Sequence, residues 1–153
     1  MTDHHAQRSR LLARAWFTAE RASDGSRILL RGRKLDQEDY CGALFPTAVT
    51  IEHTYRVKRE DGLPTKQQHV EYQKAILELA EAVEEAGLGL HVFGDTTQGT
   101  IREWFYVSDL PAVAKLSAEH LNGRINFELS YDDDPSWAFI DAAIEQVRGA
   151  QWN

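Results

Sequence analysis

The sequence predicts an α+β fold, a sandwich in which residues 47–131 run strand, helix, strand, strand, helix, strand. Three observations carry that prediction. Residues 47–57 alternate apolar and polar side chains with a period of two. Residues 65–86 repeat apolar side chains at helical spacing behind a start signal, and the same two periods recur, strand-like over 88–107 and 125–131 and helix-like over 109–121. The connectivity is that of a ferredoxin-like βαββαβ sandwich, with an N-terminal β-hairpin added before it and a C-terminal helix after it. Its usual strand order is 4-1-3-2, with right-handed crossovers. At 153 residues the chain reads as a single domain, 1–153, able to bury about two-thirds of its unfolded surface.

The first 46 residues form an appendage. Ala13 to Glu20 and Arg27 to Gly32 are extended runs, and Ala22-Ser23-Asp24-Gly25-Ser26 between them has hairpin-turn chemistry. Lys34 to Tyr40 is polar and acidic, which suits a surface loop, and the segment ahead of it, with adjacent His4 and His5, reads as a tail. Phe45-Pro46 then leads into an extended segment, because a residue before proline avoids the helical region.

In the first strand of the sandwich Val49, Ile51, His53, Tyr55 and Val57 alternate with Thr50, Glu52, Thr54 and Arg56. Thr65 followed by Gln68 has the form of a capping box, Tyr72, Ile76, Leu79, Ala80 and Val83 make an apolar stripe, and Gly87 supplies a left-handed helix end. Leu88, Leu90 and Val92 belong to the second strand. Gly94 to Gly99 reads as a hairpin loop rather than an anion cradle, since no helix follows it. In the third strand Ile101, Glu103, Phe105 and Val107 share one face, and Arg102, Trp104 and Tyr106 share the other. Asp109 with Pro111 starts the second helix and Asn122-Gly123 ends it. Ile125, Phe127, Leu129 and Tyr131 form the inward side of the fourth strand. Asp134-Pro135 reads as the start of the last helix, over 134–149, packed through Trp137, Ile140, Ile144 and Val147.

Composition narrows the function. A net charge of −7 argues against general phosphate-backbone binding, so nucleic acid is not the expected partner. No apolar run reaches the length of a secretory signal or a membrane span, and the single cysteine, Cys41, suits a reducing compartment. The expected location is cytoplasmic, and Cys41 reads as a packing residue. There is no nucleophile elbow, no phosphate-binding loop and no zinc spacing, and the acidic run Asp132-Asp133-Asp134 reads as solvent-facing. No catalytic residue, metal or cofactor is therefore expected.

The candidate binding face consists of Glu52, Arg56, Arg102, Trp104, Tyr106 and Glu128, a polar and aromatic platform if the Arg102 row turns away from the sandwich helices. The competing expectation is that the hairpin or the last helix covers it and its arginines only form ion pairs. His53 and His91 are weaker candidates, on account of the imidazole titration range. An enzyme would draw on His53, His91, Arg102 and Glu128 for acid–base or anion-binding roles.

The run REDGLPT, an acidic helix, HVFGDTTQGTIREWFYVSD, a second helix and then DDDPSW with an apolar helix resembles the bacterial domain of unknown function 695, over about residues 45 to 145. Arg102, Trp104, Tyr106, Asp134 and Trp137 match its recurrent positions. The resemblance implies no assigned activity. Some members carry the domain beside one that looks like the ribonuclease E inhibitor protein B, which implies a regulatory or protein-binding role. The expected function is thus a non-catalytic cytoplasmic module acting on a protein partner, one with a basic surface on RNA-processing machinery. The alternative is a small-ligand binder or enzyme using the open sheet face. A homodimer formed through a sheet edge is compatible with either.

Overall fold

A long apolar strand needs cover on both faces, and among the described residues four helices pack around one six-stranded sheet to cover its central strands. The computed structural model describes residues 4–23 and 26–150. The elements are α1 (His4–Leu12), β1 (Trp16–Ser23), β2 (Ser26–Arg33), β3 (Thr47–Thr54), α2 (Lys66–Glu85), β4 (Gly89–Thr97), β5 (Thr100–Val107), α3 (Leu110–Leu121), β6 (Glu128–Asp133) and α4 (Ala138–Ala150), with a 3-10 turn at Gln37–Asp39. The strand order is β1-β2-β4-β5-β3-β6, antiparallel at every step. The hairpin joins the sheet at the edge of β4, where residues 29–32 pair with 93–96. The tip of the hairpin, Asp24-Gly25, and the side chains of His4 and His5 lie outside the described residues.

α2 and α3 cover one face. Val49, Ile51, Ile101, Phe105 and Val107 of the sheet meet Tyr72, Ile76, Leu79 and Val83 of α2 and Val113 and Leu121 of α3. α2 begins where the sequence says it must: the Thr65 hydroxyl accepts the Gln68 N–H while the Gln68 side chain accepts the Thr65 N–H. It ends at Gly87, whose φ of 70° carries no Cβ penalty. Asp109 caps α3 by accepting the Ala112 N–H.

α4, together with Leu11 of α1 and the 35–45 segment, covers the opposite face. Ile140, Ile144 and Val147 pack with Phe17, Phe93, Trp104 and Tyr106. Trp137 is the anchor: its ring stacks on Tyr106 at 4.3 Å and its Nε1 donates to the Phe45 carbonyl. Its backbone is left-handed, φ 56°, a conformation costly for a bulky residue and held here by full burial of the indole.

Several expectations are corrected. The N-terminal segment is the helix α1 instead of a tail, anchored by Leu11 in the core. Residues 34–40 expose Asp36, Gln37 and Glu38 as a surface loop would, but the segment is pinned to the core, because Leu35 and Asp39 are buried and Asp39 receives Arg14 at 2.9 Å. β4 continues through Gly94 to Thr97 because it has a partner on each side, so only Gln98-Gly99 turns into β5. The first sandwich strand stops at Thr54 and the last begins at Glu128, and Tyr131 on that edge strand is exposed while Leu129 packs inward. α4 starts at Ala138, four residues after Asp134, since the Trp137 backbone interrupts the helical path. Asp134 still serves the helix from outside, accepting the Ala138 and Phe139 N–H groups and the Tyr106 hydroxyl at 2.6 Å.

Asp134→Ala orphans two helix N–H groups and a Tyr106 hydroxyl, and is expected to cost about 2 kcal/mol in urea denaturation. A change below about 0.5 kcal/mol would show that Asp134 does not secure α4.

Candidate functional site

α2 and α3 lie over β3, β5 and β6, and β4 is shared with the hairpin, so the α2 side of β1 and β2 has no helix above it. An open groove of about 930 Å³ results, bounded by α2, α1 and the hairpin. Its floor is a cluster of buried charges. Glu103 of β5 stands in the apolar row with Ile101, Phe105 and Val107 and is 0% exposed. Its carboxylate accepts from Arg31 of β2, from the Tyr72 hydroxyl of α2 at 2.5 Å and from His91 Nε2 of β4 at 2.8 Å. Burial alone would push the Glu103 carboxyl up, but Arg31, His91 and Tyr72 outweigh it and hold it below the ordinary range. Because an ionised carboxylate only accepts, the His91 ring proton sits on Nε2. Burial, with the neighbouring carboxylate, raises Tyr72 far above the ordinary phenol value.

Gly94 makes room for this cluster. A Cβ there would sit 2.4 Å from Glu103 Oε1 and 2.9 Å from an Arg31 nitrogen. Beside it, Arg33 commits all three guanidinium nitrogens: Nε to the His91 carbonyl, Nη1 to the Leu12 carbonyl and Nη2 to Glu84 at 2.7 Å. Glu84 also accepts the His91 N–H, so a single carboxylate on α2 fastens β2 and β4. At the mouth Trp16 is 37% exposed, held against His91 at 5.0 Å and Arg33 at 5.1 Å, and Leu77 of α2 is 52% exposed.

The predicted platform is reached only in part. The register does place Glu52 beside Arg102 and beside Glu128 on one sheet face. The aromatic half of that face is closed, with Trp104 8% exposed beneath Phe139 and Tyr106 buried beneath Trp137. Arg102 pairs through two bonds with Asp95, not with the glutamates, and lies over the Trp104 ring at 5.2 Å. Arg56 lies past the end of β3 and belongs to a smaller cavity of about 250 Å³ with His53 and Gln68. In that cavity His53 Nδ1 is held by the Asn126 carbonyl at 2.8 Å, and its ring stacks on Tyr72. The two weaker candidates are thus linked: Tyr72 packs on His53 with its ring and reaches the His91–Glu103 cluster with its hydroxyl.

Reading the sequence missed Arg31, Arg33, Trp16 and the role of Glu103. The available signal was Glu103 itself, a carboxylate in the inward row of a strand, which must find cations on neighbouring strands. Arg31 and Arg33 share one face of β2 through period-two alternation.

The comparisons place the chain. Residues 15–141 match the family of unknown function DUF695. The chain belongs to that family. Neither a curated protein nor a solved structure matches it. Among the described residues no group of three or more histidine, cysteine, aspartate or glutamate side chains is arranged to hold a metal ion, and no helix is long and apolar enough to cross a membrane. Cys41, buried against the Asp39 carbonyl, has its thiol pushed up to about 11 by burial, so it is a thiol and not a thiolate at neutral pH.

Because Glu103 is held below 4.5, its contribution to stability is complete above about pH 4.5 and is lost as pH falls through its folded-state value. Glu103→Gln is expected to flatten the dependence of unfolding free energy on pH in the acid range, and an unchanged slope would remove the cluster from this role. Arg31→Met, which strands the carboxylate, is expected to cost about 3–5 kcal/mol. Cys41 is expected to resist thiol reagents in the native protein and react on denaturation; rapid native labelling would contradict the buried thiol.

Proposed function

We propose that the chain is a non-catalytic binding module acting on a protein partner, and that the partner docks along the C-terminal half of α2. The observation that carries this reading is Leu77, an exposed apolar side chain flanked by exposed Glu81 and Glu85 in a chain of net charge −7. An apolar anchor ringed by carboxylates complements a basic partner surface, with the apolar contact supplying affinity and the charges steering the encounter. A non-catalytic role is supported by the pairing of the buried titratable groups: Glu103 and Tyr72 face each other beneath the groove, and His91, which lines it, is committed to Glu103 through Nε2 and packed against Trp16. The lone buried thiol supports a reducing, cytoplasmic setting. The order β6-β3-β5-β4 with α2 and α3 on one side supports reading this part of the sheet as a ferredoxin-like unit, to which the hairpin adds two strands.

A low-salt capture from native lysate tests the reading, comparing the wild type with a Leu77→Ala, Glu81→Lys, Glu85→Lys variant and with Arg102→Ala. The expected result is a basic protein retained by the wild type and by Arg102→Ala, lost in the triple variant and released by added salt. Retention by the triple variant, or no retained protein at low salt, would overturn it.

A further inference from the structure

We propose that the groove between α2 and the β1–β2 hairpin binds a small organic anion, a carboxylate or similar group carried on a planar apolar body. This site adjoins the proposed partner surface, since Leu77, Glu81 and Glu85 of α2 line the groove as well, and its test therefore uses residues outside that surface, Arg8 and Trp16.

The argument starts from which donors are already committed. Arg33 is spent, with three nitrogens on protein acceptors. Arg31 donates to Glu103 through Nη2 and also interacts with the Tyr72 hydroxyl, and its side chain remains 29% exposed at the groove. Arg8 of α1 lines the same groove, forms no ion pair with any described residue, and has its Nε enclosed without an acceptor. A buried donor without an acceptor is costly, and native proteins seldom tolerate one without an external partner. The Arg8 guanidinium, with Nη1 beside Gly87 at the end of α2, has spare N–H donors that match the planar fork of a carboxylate or a similar oxyanion, and Arg31, beside Gly94 farther along β4, adds positive charge to the same groove.

The rest of the groove is suited to an organic body. Trp16 presents a partly open indole fixed from behind by His91 and Arg33, and Leu12 and Leu77 add apolar wall. A cavity of about 930 Å³ accommodates a ligand of that kind with its ring on Trp16. Carboxylates do not turn the site toward cations. Glu84 is tied to Arg33 and the His91 N–H, Glu103 is sealed beneath the floor, and Glu81 and Glu85 line the outer wall of the groove where they are exposed to solvent.

The test uses 2-naphthoate as the probe, with 2-naphthalenemethanol and 2-naphthylmethylammonium as neutral and cationic counterparts of similar shape. Binding is followed by calorimetry and by the indole N–H resonance of Trp16. Saturable binding of naphthoate with a Kd below about 1 mM is expected, with the alcohol and the ammonium at least about tenfold weaker. Arg8→Gln, which removes a charge without exposing a buried partner, is expected to weaken naphthoate about tenfold and leave the alcohol unchanged. Trp16→Leu is expected to weaken all three probes. Equal binding of the three probes, preference for the ammonium, an unchanged affinity in Arg8→Gln, or no saturation by naphthoate would each overturn the proposal. Loss of the captured protein in the α2 triple variant is read out separately, so either idea can fail without the other.

Discussion

The carboxylate of Glu103 is the constraint around which the rest of the molecule is arranged. It sits in the middle strand region with no access to water, yet it remains an anion because Arg31, His91 and Tyr72 all donate to it. Those donors come from β2, β4 and α2, so one side chain couples the added hairpin, the sheet and the longest helix. A charge in such a place is tolerated only when every partner is present, since the desolvation cost of several kcal/mol per ion must be met by geometry. The bare Cα of Gly94, which leaves room for Glu103 Oε1, follows from the same requirement.

This coupling explains why the hairpin is part of the sheet. β2 pairs with β4 over residues 29–32 and 93–96, and Arg31 and Arg33 on β2 then reach across to β5 and α2. The hairpin thereby extends the sheet past the two helices on that side and leaves the groove open. On the other side α4 closes the surface, because Trp137 and Phe139 stack on Tyr106 and Trp104. The aromatic part of the α4 face is therefore closed while the α2 face has an opening, with a partly exposed aromatic, Trp16, and arginine donors at that opening.

Much of the fold was legible in the sequence. The capping box at Thr65 and Gln68, the left-handed glycine at 87 and the Asp109 cap locate α2 and α3 through interactions between residues a few positions apart, which do not depend on the rest of the chain. Period-two alternation separated Ile101, Glu103, Phe105 and Val107 from Arg102, Trp104 and Tyr106 for the same reason. α4 was legible as a helix but not at its boundary, because its start depends on Trp137 adopting a left-handed backbone to bury its indole.

By itself the sequence determined the element types, their order, and which residues share a face, since capping, turn chemistry and side-chain periodicity act over short separations. Only the tertiary structure decided which face was covered, which arginine met which carboxylate, and where the opening lay. Arg102 found Asp95, seven residues away across a hairpin, whereas Arg31 found Glu103, seventy-two residues away across the sheet. Long-range pairings of that kind are selected by burial: a charge removed from water takes whichever partner the packed strands bring within reach, and neither period nor spacing in the chain encodes that choice.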